Sequence, residues 1–206
     1  MTREKNIIYA ARLVSLIFTP FYLPLVGLIA LFTFSYLNLL PVAYRLLVRT
    51  IVYVFTILLP TFIIHLYRRA QGWSLLELGQ KRRRMVPYGI SIICYVACLW
   101  TLDNMHIYHF VSSIVVAALL VQVICAIVNV WWKISTHTAG IGGMAGALFV
   151  FAEYFAFNPV WWLCVVLFVA GILGTARIIL RQHSLAQVVA GFLIGFVCAA
   201  VGIIFF

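Results

Sequence analysis

The chain has 206 residues, of which 66% are hydrophobic and only 9% charged, with a formal net charge of +10. Ordinary soluble domains are about half apolar and a quarter charged, so this composition excludes a water-soluble enzyme and a nucleic-acid-binding module. It indicates an all-α integral membrane protein whose positive charge faces lipid headgroups, with no nucleic acid partner expected.

Apolar runs of about 20 residues are long enough to cross the hydrocarbon core as helices. Seven such runs are read, near 13–37, 46–67, 88–104, 107–132, 137–156, 160–180 and 184–206, with six as the alternative count. The first is preceded by basic residues like a secretory signal, but its apolar region is too long and is interrupted by Pro20 and Pro24. It is therefore read as a retained, kinked helix. The seam LDNMH (102–106) divides the third run from the fourth, and NLLPVAYR, KIST, NP and RQHS interrupt the chain elsewhere. These connections leave no room for a soluble domain, so 1–206 is taken as one membrane domain. Cys94, Cys98, Cys125, Cys164 and Cys198 all fall inside predicted spans with no zinc-like spacing.

Threading seven helices puts Arg3, Lys5, Arg12, Arg68, Arg69, Lys81, Arg82, Arg83, Arg84, Lys133, Arg177 and Arg181 on one membrane face, against Arg45 and Arg49 on the other. The positive-inside rule makes the basic face cytoplasmic. A bacterial inner membrane is the expected location.

Two histidines lie at span starts on that face, His137 in KISTHTAGIGG and His183 in RIILRQHSLAQ. His183 and Gln187 are one helical turn apart and share a face. Arg177 is expected to end the sixth helix, and a turn near Arg181–Ser184 would fold it toward His183. Ser135 or Thr136 can cap the fifth helix. Helix starts offer unpaired N–H groups and the positive end of a dipole, both suited to an anion. Two imidazoles, fixed cations and two helix starts on one face describe a phosphate site.

These residues resemble the type 2 phosphatidic acid phosphatase superfamily. Its third motif is Ser-Arg, five residues, His, three residues, Asp; here Ala176, Arg177, His183 and Gln187 hold those places. Its second motif is Pro-Ser-Gly-His, of which ISTH keeps Ser135 and His137. The first motif, Lys, six residues, Arg-Pro, is faint in KRRRMVP, where Lys81 and Arg84 are the candidate phosphate ligands. Gln187 in place of aspartate is the pattern of dolichyl diphosphatase and glucose-6-phosphatase relatives. The family-like core is taken as about 80–206.

The resemblance implies a membrane lipid phosphatase in which His183 attacks phosphorus and forms a phosphohistidine. His137 then acts as acid and base, and Arg177, Lys81, Arg84 and Ser135 bind phosphate. Gln187 is expected to accept a hydrogen bond from His183 and so fix its tautomer. Polyprenyl diphosphate, phosphatidic acid and phosphatidylglycerol phosphate are the candidate substrates. Glu4, Glu77, Asp103 and Glu153 are the only carboxylates, and no two adjoin in sequence. A metal-independent reaction without cofactor is therefore expected. The alternatives are phosphotransfer to an alcohol from the same intermediate, and a non-catalytic membrane protein or small transporter with decayed motifs. The residues leave oligomeric state open. His65, His106, His109 and Glu153 are read as interfacial or isolated groups, and GIGGMAG and the Gly191–Gly195 pair as close helix packing.

Overall fold

A computed structural model describes residues 2–72 and 85–206. Among them the chain is helical throughout: α1 Thr2–Ile17, α2 Leu23–Phe34, α3 Val42–Tyr53, α4 Leu59–Ala70, α5 Met85–Asn104, α6 His109–Trp131, α7 Thr136–Tyr154, α8 Val160–Ile179 and α9 Leu185–Phe205.

Among the described residues five helices are long and apolar enough to cross a membrane: Val42–Ala70, α5, α6, α8 and α9. A bent pair, Glu4–Tyr22 with Pro24–Thr33, passes the same test when taken together. The remaining expected run, 137–156, is α7, whose threonines, histidine and glycines leave it less apolar than these. Each of the seven expected runs is thus a helix or a helix pair.

The first run differs in detail. The helix starts at Thr2, well before residue 13, and the expected kink is a 75° break between α1 and α2. A short 3-10 turn, Pro20–Tyr22, joins them. Pro20 and Pro24 cannot donate backbone hydrogen bonds and clash with the preceding turn, which is the local reason for the break. Pro60 acts more gently. Removing one donor from the continuous helix Val42–Ala70 widens the preceding turn into a π segment, Val54–Leu58, and the helix goes on.

The centre of the molecule is the pair α7 and α9, which lie parallel and nearly touch. A Cβ added at Gly142 would fall 2.1 Å from Phe192 O, at Gly146 2.3 Å from Phe196 O, and at Gly195 1.8 Å from Ala139 O. Only glycine permits backbones this close, the usual device where lipid gives helices little reason to associate. Helix α6 closes on the same pair, with Ala117 against Gly202 and Val121 against Gly143. Three apolar clusters fill the gaps. The largest joins Leu28 and Phe32 of α2, Val48 and Val52 of α3, and Val111 and Val115 of α6. A second holds Tyr88, Val121, Cys125, Ile134 and Ala139. In the third, Ile141 and Ala145 meet Val166 and Leu173, with Val14 and Phe18 of the first helix segment packed alongside.

Candidate active site

Because α7 and α9 are parallel, their N-terminal ends share one end of the bundle. The contact at Gly191 fixes the register. A Cβ there would lie 2.6 Å from Thr138 Oγ1 and 2.7 Å from Ser135 O, so the start of α7 rests on the second turn of α9. Gln187 stands one turn closer to the helix start than Gly191. Helix α8 is set by Gly174, whose added Cβ would meet Val188 Cγ1 at 2.8 Å. Arg177, one turn beyond Gly174, therefore ends α8 beside the start of α9.

The joint between α8 and α9 is a tight reversal. Arg181 takes a left-handed conformation at φ 51°. Arg181 N donates to Ile178 O at 2.8 Å and Gln182 N to Arg177 O at 3.2 Å, satisfying carbonyls that the helix end leaves open. Ser184 then starts α9 through a full capping box. Gln187 N donates to Ser184 Oγ at 3.4 Å, and Ser184 N donates to Gln187 Oε1 at 3.3 Å.

His183 precedes this box and is buried. Its Nδ1 is 3.0 Å from the same Gln187 Oε1. An atom that already accepts from the Ser184 N–H is the carbonyl oxygen of the amide, so Nδ1 is the donor. In the neutral ring Nε2 is then the unprotonated nitrogen. One glutamine oxygen thus closes the helix start and sets the histidine tautomer together. The SLAQ stretch has the Ser-x-x-Gln form of a capping box, a signal present in the sequence beyond the shared His183–Gln187 face.

At the second helix start, Ser135 is fully buried and its Oγ accepts from Thr138 N at 3.4 Å, while Thr138 Oγ1 donates to Ser135 O at 3.1 Å. Ser135 is the cap of α7, and its hydroxyl proton is not used by that bond. His137 is half-buried in the first turn. Arg177 is 9% exposed in the last turn of α8, so an arginine sits inside the packed end of the bundle. Lys81 and Arg84 lie outside the described residues.

His65 pairs with its own helix, its Nδ1 lying 3.4 Å from Arg68 Nη2. His109, whose ring is 5.8 Å from that of Phe206, lies at the other end of the bundle. Among the described residues no three His, Cys, Asp or Glu side chains gather as metal ligands would.

A partly open cavity of about 110 Å³ was not legible in the sequence. It follows α7 from Thr136 and Gly140 past Gly143 and Ala147 to Phe151, a helix length of about 22 Å at 1.5 Å per residue. Pro20, Pro24 and Gly27 wall it where α1 breaks to α2, and Trp162 and Val166 of α8 stand on another side. Tyr95 and Gln122 are the polar residues partway along; the Tyr95 hydroxyl lies beside Gln122 without a hydrogen bond of normal geometry. One end of this mainly apolar space thus begins at Thr136, the residue before His137 in the chain.

Residues 129–206 match the family model of the PAP2 superfamily. No curated protein and no solved structure gives a match. The matched stretch runs from the end of α6 through α9 and contains Ser135, His137, Arg177, His183 and Gln187, so this part of the chain is similar to the PAP2 superfamily.

Proposed function

We propose that the protein is a membrane-embedded phosphatase that removes phosphate from a lipid phosphate monoester or diphosphate through a phosphohistidine. The observation that carries the reading is the 3.0 Å contact from His183 Nδ1 to Gln187 Oε1. It leaves Nε2 unprotonated at a helix start packed against the start of α7.

The Nε2 lone pair forms a bond to phosphorus as the bond to the leaving oxygen breaks, and His137 delivers a proton to that oxygen. His137 then takes a proton from water, whose oxygen attacks phosphorus, and the N–P bond breaks to release inorganic phosphate. Arg177 neutralises the non-bridging oxygens, aided by Lys81 and Arg84 and by the N–H groups at the start of α7. Gln187 stabilises the charged ring through its oxygen dipole, without the full negative charge of an aspartate. The apolar cavity beside Thr136 supports an amphiphilic substrate, its phosphate at the basic end and its tail between α2, α7 and α8.

Purified protein is assayed for phosphate release from phosphatidic acid, phosphatidylglycerol phosphate and a polyprenyl diphosphate. Release from at least one, abolished by His183→Ala, is the expected result. Release from none refutes the proposal.

A further inference from the structure

At the end of the bundle away from His137 and His183, α3 carries two arginines one turn apart, Arg45 and Arg49. Tyr108 N donates to Tyr44 Oη at 3.4 Å, which puts the start of α3 beside the start of α6, a full α6 length from the candidate active site. Both arginines are half-buried and face α2. Arg45 Nη1 donates to Asn38 Oδ1 and, at 3.5 Å, to Phe32 O, and the Arg49 guanidinium lies 5.5 Å from the centre of the Phe32 ring.

These contacts leave the charge unanswered. Among the described residues neither arginine forms an ion pair, and the Nε of each is buried without a hydrogen bond. Side chains at i and i+4 are neighbours on a helix, and like charges there repel. Arg45 and Arg49 lie in the first turns of a spanning helix, where long cationic side chains reach for headgroup level. Each guanidinium presents five donors in a planar fork that matches a phosphate oxygen pair. Beside them Val42, Leu46 and Leu47 are exposed on the outer face of the same helix, where an acyl chain would lie.

We infer that Arg45 and Arg49 form a binding site for the phosphate of an anionic lipid in the leaflet opposite the candidate active site, with its tail along Val42 and Leu46. The site is independent of the catalytic reading. It would hold a phosphodiester headgroup, which is not a substrate of the proposed reaction.

The test uses the full chain in detergent and native mass spectrometry with dioleoylphosphatidylglycerol, dioleoylphosphatidylcholine or inorganic phosphate. Wild-type protein is expected to retain phosphatidylglycerol over phosphatidylcholine. The double variant Arg45→Gln/Arg49→Gln loses that preference by roughly thirtyfold, taking two membrane-facing cations together, whereas Arg177→Gln keeps most of it. Equal retention by the double variant and wild type overturns the inference, as does displacement of the lipid by millimolar inorganic phosphate, which would make the occupant a free anion. A second measurement needs no variant. In nanodiscs, phenylglyoxal should modify Arg45 and Arg49 more slowly in phosphatidylglycerol than in phosphatidylcholine, and equal rates refute the site even if the double variant fails to fold.

Discussion

Gly195→Ala tests whether the approach of α7 and α9 positions the candidate active site. A Cβ at this glycine lies 1.8 Å from Ala139 O and 2.7 Å from Ala139 C, where ordinary contacts begin at 3.4 Å. The obstructing atoms are backbone, so no side chain can swing away, and the helices must part by about 1.6 Å at this level. Overpacking of this kind costs about 1–3 kcal/mol, equivalent to a fall in melting temperature of about 2–12 °C for a chain of this length. The same movement shifts the start of α7 against α9 and so His137 against His183. A misplacement of about 1 Å in such a site lowers turnover about a hundredfold. Gly171→Ala is the control: its added Cβ meets nothing within 4 Å, and alanine is the better helix former. Thermal unfolding in detergent and phosphate release are measured on both variants. A Gly195→Ala protein that melts and turns over like wild type would refute the packing argument and the register drawn from it.

Gln187→Ala removes the acceptor of His183 Nδ1 and should lower kcat about ten- to a hundredfold, the worth of one hydrogen bond to a group that becomes charged. Gln187→Glu keeps an oxygen for both the ring and the Ser184 N–H and should retain most of the lost activity. Ser184→Ala deletes the cap of α9 and should cost about 1 kcal/mol of stability in thermal unfolding, with a smaller effect on turnover. A cysteine at Ser74 should resist an impermeant thiol reagent in intact cells if the basic face is cytoplasmic; modification would reverse the orientation.

Periodicity and run length made the helices legible, because a spanning helix writes its length into its composition. The i, i+4 relation of His183 and Gln187 follows from helix geometry, and their contact is observed. The glycines of 140–146 and Gly191–Gly195 pointed to close packing, which Gly142, Gly146 and Gly195 display. Their partners were not legible, since which backbone fills the space beside a glycine depends on tertiary register. The break between α1 and α2 had its prolines in view, but the helix beginning at Thr2 did not, since its polar first turns carry no spanning signal. The cavity along α7 belongs to no single segment; it exists because the break in the first pair leaves space beside the glycine face of α7. In sequence Arg45 and Arg49 are only the two cations of the other face, and only their placement beside Phe32 reveals guanidiniums with no carboxylate partner among the described residues.

The central claim is that His183 carries the phosphoryl group during turnover. Purified protein mixed with its lipid phosphate substrate and quenched within one turnover should yield an acid-labile, alkali-stable phosphate on the peptide containing His183. His183→Ala should yield none and release no phosphate. Turnover by wild type with no phosphate on His183 at any quench time, or turnover that survives His183→Ala, would contradict the account.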